Sequence, residues 1–482
     1  MISKADCRRG WTLPWSRRSF IGTWPATLGM FGTAAPSSTG LAAKEPRRKP
    51  YVFVTLAGPD DGGDFGPHTK GTKTSGIQEA VDYAHANSRD VYIFGGRGGM
   101  HSRQGITANV YTLDETLRIP WSQDFRLDGG NYLLAYRKAT GPAIHIDSQM
   151  NCRYKFGLVT SRSPEPALLI KPETPGPDDF KVITASVFDF SAVVSADPKG
   201  TAILIDSSHG PIINSRLFAE EFNAAGIGVH LTDAGGSGSQ IANNRIHIMY
   251  GNQYHARGHC TGLRLGDPGS WKIVHNHLEM SLHAPRGAHF DEQKGAFVTV
   301  DDFVPEKAIG ADIFAQGNLL TLTCYGRRAP GEDIVFEQDA QENTIFAFNL
   351  PNGITNRATV ATNRIIPNQP VGFRIPTPPV PRSGEFMINR NPYTVQILIL
   401  DSGQVTEWTI ADAPVRPSTV PKNLSIVDNL RVSATPSPID GEFNSQIISG
   451  SLFAGQTIRL EPGEKIGFTY SKPPVWRWKA ST

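Results

Sequence analysis

Cysteine is scarce in this chain, with four in 482 residues, at Cys7, Cys152, Cys260 and Cys324. The last three are too far apart for a disulfide framework and lack Cys-x-x-Cys metal spacing, so they read as small buried apolar residues. Long apolar runs are missing too. Outside the first 45 residues no stretch is apolar enough to span a bilayer. Charge is modest and unevenly placed. Residues 1–50 carry nine Lys/Arg against two Asp/Glu, which leaves about −5 of the chain's net +2 for residues 51–482. That balance excludes a global basic field for nucleic acid. The loop Gly95-Gly96-Arg97-Gly98-Gly99 is followed by no Lys-Ser/Thr and no helix, so it is not a phosphate cradle.

Glycine (48) and proline (36) are abundant instead, as in an all-β chain with many turns. The middle of the chain repeats itself. One phrase reads Ala-Ile-Leu-Ile-Asp (202–206), Gly-Val-His-Leu-Thr-Asp (228–233), Gly-Leu-Arg-Leu-Gly-Asp (262–267) and Ala-Phe-Val-Thr-Val-Asp (296–301), with an earlier copy at 143–147. A second reads Ile-Ile-Asn-Ser-Arg-Leu (212–217), Ile-Ala-Asn-Asn-Arg-Ile (241–246) and Ile-Val-His-Asn-His-Leu (273–278). Both alternate with period two, and turn residues separate them. A short strand cannot bury its own apolar face, so such repeats must stack. The fold class expected is all-β, a right-handed parallel β-helix. Its inward columns are Ile203, Val229, Leu263, Val298 and Ile205, Leu231, Leu265, Val300. The recurrent Asn244, Asn276, Asn318, Asn343 and Asn363 suit a stacked amide ladder at an inner corner.

Residues 1–45 are similar to a twin-arginine export signal, with Ser16-Arg17-Arg18-Ser19-Phe20-Ile21 ahead of a weakly apolar stretch. An exported protein, periplasmic or extracellular, is the expectation. Residues 51–135 predict a strand at 52–54, a Gly/Asp loop at 60–66, and a helix from Ile77 to about Asn87 buried through Ile77, Ala80, Val81 and Ala84. The Asp60–Asp64 run lacks the spaced register of a Ca²⁺ loop and reads as a turn. Thr74, Ile77, Gln78, Ala80, Val81, the Tyr92-Ile93 pair, Gly95-Gly96 and Asp128-Gly129 together resemble the N-terminal part of the pectate-lyase-like superfamily. The resemblance implies a helix capping the open coil end and a carbohydrate-related role, spread over lyases, hydrolases, epimerases and phage tailspikes. The β-helix with its cap occupies 46–375, and a Pro-rich segment, 376–381, precedes a small β-sandwich at 385–482. Leu460 to Trp478 resembles C-terminal domains of β-helical phage tail proteins, which implies a homotrimer or sugar contact.

Inward positions of a packed coil are apolar, so chemistry must sit on outward ones. Alternation sends out Arg216, Phe218 and Glu220, then Arg245, His247 and Met249, then His277, Glu279 and Ser281. Stacking sets Arg245 beside His277 and His247 beside Glu279. Two long excursions border this face and carry His255, Arg257, His259, His283, Arg286, His289, Asp291, Glu292 and Lys294; eight of the 13 histidines fall between 230 and 289. The other outward face offers His230, Arg264, Asp301 and Glu337. The pair Asp301-Asp302 is similar to the paired aspartates of pectin hydrolases, but the rest of that family's pattern is absent.

The chemistry these residues point to is cleavage of an acidic polysaccharide by β-elimination. Arg245 or Arg216, or a Ca²⁺ held by Glu220 and Glu279, would neutralise the uronate carboxylate, and His277 or His247 would remove the C5 proton. Arg216, Glu220, His255, His283 and Arg286 are the candidate substrate contacts. A glycoside hydrolase using Glu220 with Glu279, or Asp301 with Glu337, is the alternative. A non-catalytic glycan-binding β-helix is the third.

Overall fold

The computed structural model describes residues 51–96, 109–177, 179–254, 259–286, 288–291, 296–299, 307–326, 331–359, 362–367, 376–411, 446–448 and 452–480. The export segment lies outside them. From Leu117 to Pro367 the chain winds as a parallel β-helix. A complete winding has an opening strand, a two-residue bridging strand and a long strand, as in Ile227–Thr232, Ile241–Ala242 and Arg245–Tyr254. The next winding repeats it with His259–Leu265, Ile273–Val274 and His277–Arg286. Equivalent strands pair in parallel into a nine-stranded opening sheet, a six-stranded bridging sheet and a thirteen-stranded long sheet.

Period-two alternation drives the winding, because it gives every strand one apolar face that only a neighbouring coil can cover. Ile203, Val229 and Leu263 stack in one buried column, and Ile205, Leu231 and Leu265 in the next. The continuation differs from expectation. The next coil strand is Lys307–Ile313, so Ala311 and Ile313 extend the columns in place of Val298 and Val300. Ala296–Thr299 pairs antiparallel with Ala288–Asp291. Its alternation satisfies a local hairpin as readily as a coil, and Val300 lies outside the described residues.

Between bridging and long strands the corner takes two residues. The first is left-handed: Asn214 (φ 53°), Asn243 (φ 56°), His275 (φ 57°) and Glu342 (φ 56°) in different coils. Asparagine tolerates this conformation best. His275 is thus a corner residue. The second corner residue builds the ladder. Asn244 Nδ2 donates to Asn276 Oδ1 (3.0 Å), Asn276 Nδ2 to Asn318 Oδ1 (3.0 Å), Asn318 Nδ2 to Asn343 Oδ1 (3.4 Å) and Asn343 Nδ2 to Asn363 Oδ1 (3.0 Å). Shorter side chains continue it upstream, where Ser215 N–H donates to Asn244 Oδ1 (2.9 Å) and Ser186 N–H to Ser215 Oγ (3.2 Å). Cys152, buried, occupies the ladder position before Ser186.

The helix Ile77–Ala86 buries Ile77, Ala80, Val81 and Ala84, as its spacing predicts. It closes the end of the opening sheet through Gln78. That amide accepts from Arg118 N–H (2.8 Å) and donates to Arg118 C=O (3.0 Å), standing in for a missing strand beside the terminal strand Leu117–Ile119. Replacing Gln78 with Ala should cost about 1–3 kcal/mol, because two edge groups lose their partner. An unchanged urea midpoint would contradict this. In the Gly/Asp loop, Asp64 accepts from Phe53 N–H (2.9 Å) and Asp61 from Ala57 N–H and the Thr55 hydroxyl.

The C-terminal module has its own core, built from two antiparallel sheets of four and three strands around Ile397, Trp408, Leu460, Phe468, Trp476 and Trp478. The Pro-rich segment packs onto this module: Trp476 Nε1 donates to Pro378 O and Tyr470 OH to Pro381 O. Among the described residues no helix is long and apolar enough to cross a membrane.

Candidate active site

The long sheet carries the expected face. Arg216, Arg245 and His277 occupy one outward column, and Phe218, His247 and Glu279 the next. The apolar residues between them point inward, with Leu217, Ile246 and Leu278 all buried. Glu279 Oε2 lies 3.5 Å from His247 Nδ1 and 3.9 Å from Arg245 Nη2, and the Phe218 and His247 rings meet edge to face at 5.3 Å. Glu220 is exposed on the same face as Arg216. The Glu279 carboxylate faces the side chains of both Arg245 and His247. His283 stands in register with Tyr325, the two rings stacked at 4.9 Å.

The excursions contribute less that can be placed. His255, Arg257, Glu292, Lys294 and Asp301 lie outside the described residues. For His259, Arg286, His289 and Asp291 the structure describes the backbone alone: Arg286 pairs with Tyr254 and His289 with Val298.

The opening sheet holds the more perturbed cluster. His230, Arg264 and Asp312 stack in one outward column on three successive coils. Asp312, between Ala311 and Ile313, takes the position that Thr299 holds in the repeat phrase, because Lys307–Ile313 and not 296–301 is the coil strand. The column then continues to Val335, so Glu337 is not a column member. It sits just past the strand Gly331–Phe336, its N–H donating to Ile313 O (2.8 Å), and its carboxylate meets Arg357 Nη1 at 2.7 Å.

Asp267 ties the column together. Its carboxylate lies 3.3 Å from His230 Nε2 and 2.8 Å from Arg264 Nη2, and accepts from the Thr232 hydroxyl. Burial alone would raise its pKa, but the nearby His230, Thr232 and Arg264 side chains bring it down to about 2. Asp312 moves the other way. Desolvation, then the charge of Glu337, push it up to about 6 against the pull of Arg264, Lys307 and Arg357. Its Oδ1 is buried without a hydrogen-bond partner, as is Arg264 Nε. Two carboxyls on adjacent coils thus hold opposite protonation states near pH 5, the arrangement that separates a general acid from an anionic partner.

Asp267, Asp312 and Arg357 were not anticipated from sequence. Asp267 had a signal, since it ends a repeat phrase as Asp206 and Asp233 do. Those two serve the coil: Asp206 pairs with Lys171 (3.1 Å), and Asp233, fully buried, accepts from Trp271 and Lys272 N–H. Among the described residues no three His, Cys, Asp or Glu side chains converge as a metal site. In comparison with known proteins, the chain matches no family model, no curated protein and no solved structure.

Proposed function

We propose that the protein is an exported carbohydrate-active enzyme that hydrolyses a linear glycan at the opening-sheet cluster. The observation that carries this reading is the divergence of Asp312 and Asp267, one carboxyl held protonated to about 6 and the other ionised down to about 2. In the reaction, the Asp312 carboxyl gives its proton to the glycosidic oxygen as the bond from that oxygen to the anomeric carbon breaks. Water adds to the anomeric carbon and yields a proton to Glu337, which Arg357 orients. Asp267, fixed by His230 and Arg264, faces the positive charge that develops on the sugar ring. A stack of parallel coils suits a linear polymer, and the resemblance of residues 51–135 to the pectate-lyase-like superfamily supports a carbohydrate substrate.

A second reading rests on the other face, where the register sets Arg245 beside His277 and His247 beside Glu279. There an arginine would neutralise a uronate carboxylate and a histidine would take the C5 proton, giving β-elimination. Digesting neutral and acidic glycans separates the readings. Hydrolysis yields new reducing ends without ultraviolet absorbance. Absorbance from unsaturated ends would move catalysis to the long-sheet face, and neither product from any glycan would favour a binding role.

A further inference from the structure

The segment 376–381, Pro-Thr-Pro-Pro-Val-Pro, has little conformational choice. Each proline fixes its own φ at about −65°, and Thr377, Pro378 and Val380 each precede a proline, which disfavours the helical region for them. Covalent geometry therefore holds the stretch in polyproline II, a helix of about three residues per turn with no internal hydrogen bonds. That period sets Pro378 and Pro381 one turn apart on a single face. Four of the six residues have no N–H, so the segment is a poor partner for a β-ladder, and its carbonyls are left as acceptors.

The C-terminal module reads that face. Trp476 Nε1 donates to Pro378 O (2.8 Å) and Tyr470 OH to Pro381 O (2.9 Å), one bond for each turn. Trp478 N–H, on the strand Val475–Ala480, donates to Thr377 Oγ1 (3.1 Å). The Trp476 ring is braced edge to face by Phe468 (5.5 Å) and Trp478 (5.7 Å), and Val380 packs against the module's core. In these bonds the module supplies the donors and the segment the acceptors, which is how aromatic grooves take proline-rich helices. The fit is shallow. Pro381 is buried, Pro378 and Val380 are half-buried, and Pro376, Thr377 and Pro379 are exposed. A segment ordered before it docks loses little entropy on docking, so an unattached copy can fill the same groove.

We infer that the groove of Tyr470, Trp476 and Trp478 is a recognition site for a proline-rich segment of another protein, with 376–381 as its built-in occupant. The tethered segment competes at an effective concentration on the order of 1 mM, so a partner's segment has to displace it. Calorimetry and ¹⁹F NMR on the full chain labelled with fluorotryptophan measure this. The probe is a capped synthetic peptide of residues 376–383, and the comparison is the same peptide with alanine for each proline. In Pro378→Gly/Val380→Gly/Pro381→Gly the built-in segment loses its restriction and leaves the groove. The probe should then bind at least about 10-fold more tightly than to the wild type and shift the Trp476 resonance, assigned from Trp476→Phe. The alanine peptide should bind at least about 10-fold more weakly than the probe. Adding Trp476→Phe to the glycine variant should cost the probe about 5-fold in affinity, through loss of one donor to a carbonyl. Where the triple variant lacks the module's melting transition, Pro378→Gly alone takes its place. These readouts involve no cleavage, so they stand apart from the reaction at the opening sheet. Equal binding of the probe to the glycine variant and the wild type, equal binding of the two peptides, or a module that unfolds in both glycine variants would overturn the inference and make 376–381 a fixed part of the module.

Discussion

Replacing Asp312 with Asn should lower kcat/KM for glycan cleavage at least about 100-fold, the usual contribution of a positioned general acid. The same substitution should not weaken the fold. Desolvation and the Glu337 charge hold this carboxyl at about 6, so the native state binds its proton more tightly than the unfolded chain does. The stability it contributes is fully present below about 4 and is lost as pH rises through about 6. The full shift corresponds to about 3 kcal/mol, and partial exposure reduces the expected effect to about 1–2 kcal/mol. At pH 8 Asp312→Asn should therefore match or exceed the wild type in urea resistance, and the difference should vanish by pH 4. Wild-type kcat/KM should fall as pH rises above about 6. A variant retaining more than a tenth of wild-type activity would remove Asp312 from the reaction.

Asn276→Ala should give the largest loss of stability, about 3–5 kcal/mol in equilibrium denaturation. Asn276 accepts from the N–H (3.1 Å) and Nδ2 (3.0 Å) of Asn244, and donates to Ile241 O (2.9 Å), Val274 O (3.1 Å) and Asn318 Oδ1 (3.0 Å). Alanine leaves these groups without a partner in a site where water has no access, and each buried orphan costs about 1–3 kcal/mol. Among the described residues Asn363 meets no onward amide in the ladder and donates to Ala340 O alone, so Asn363→Ala should cost about half as much. Equal losses at the two positions would contradict the ladder as the source of the effect.

The coil was legible because its rules are local. Alternation gave the buried columns through Leu263 and Leu265, the recurring asparagine gave the corner, and helical spacing gave the Ile77–Ala86 face. The pairings Arg245 with His277 and His247 with Glu279 followed from counting between asparagines. Legibility ended where the repeat did. The phrase at 296–301 has the right alternation, yet its residues 296–299 pair antiparallel with 288–291, while Lys307–Ile313, with its Ala-Ile-Gly-Ala core, has the strand's place. That exchange hid Asp312, which holds the place that the phrase gave to Thr299. The opening-sheet cluster was half visible: His230, Arg264 and Glu337 could be named, but not the aspartate that binds the first two. Burial and unmatched polar atoms set its chemistry, and neither follows from spacing alone.

The most direct test is a carboxyl titration by infrared spectroscopy on protein labelled with ¹³C-aspartate, taken as wild type minus Asp312→Asn. It requires no knowledge of the glycan. A protonated carboxyl band that disappears with a midpoint near pH 6 is the expected result. A midpoint in the ordinary aspartate range, near 4, would contradict the assignment of Asp312 as the acid.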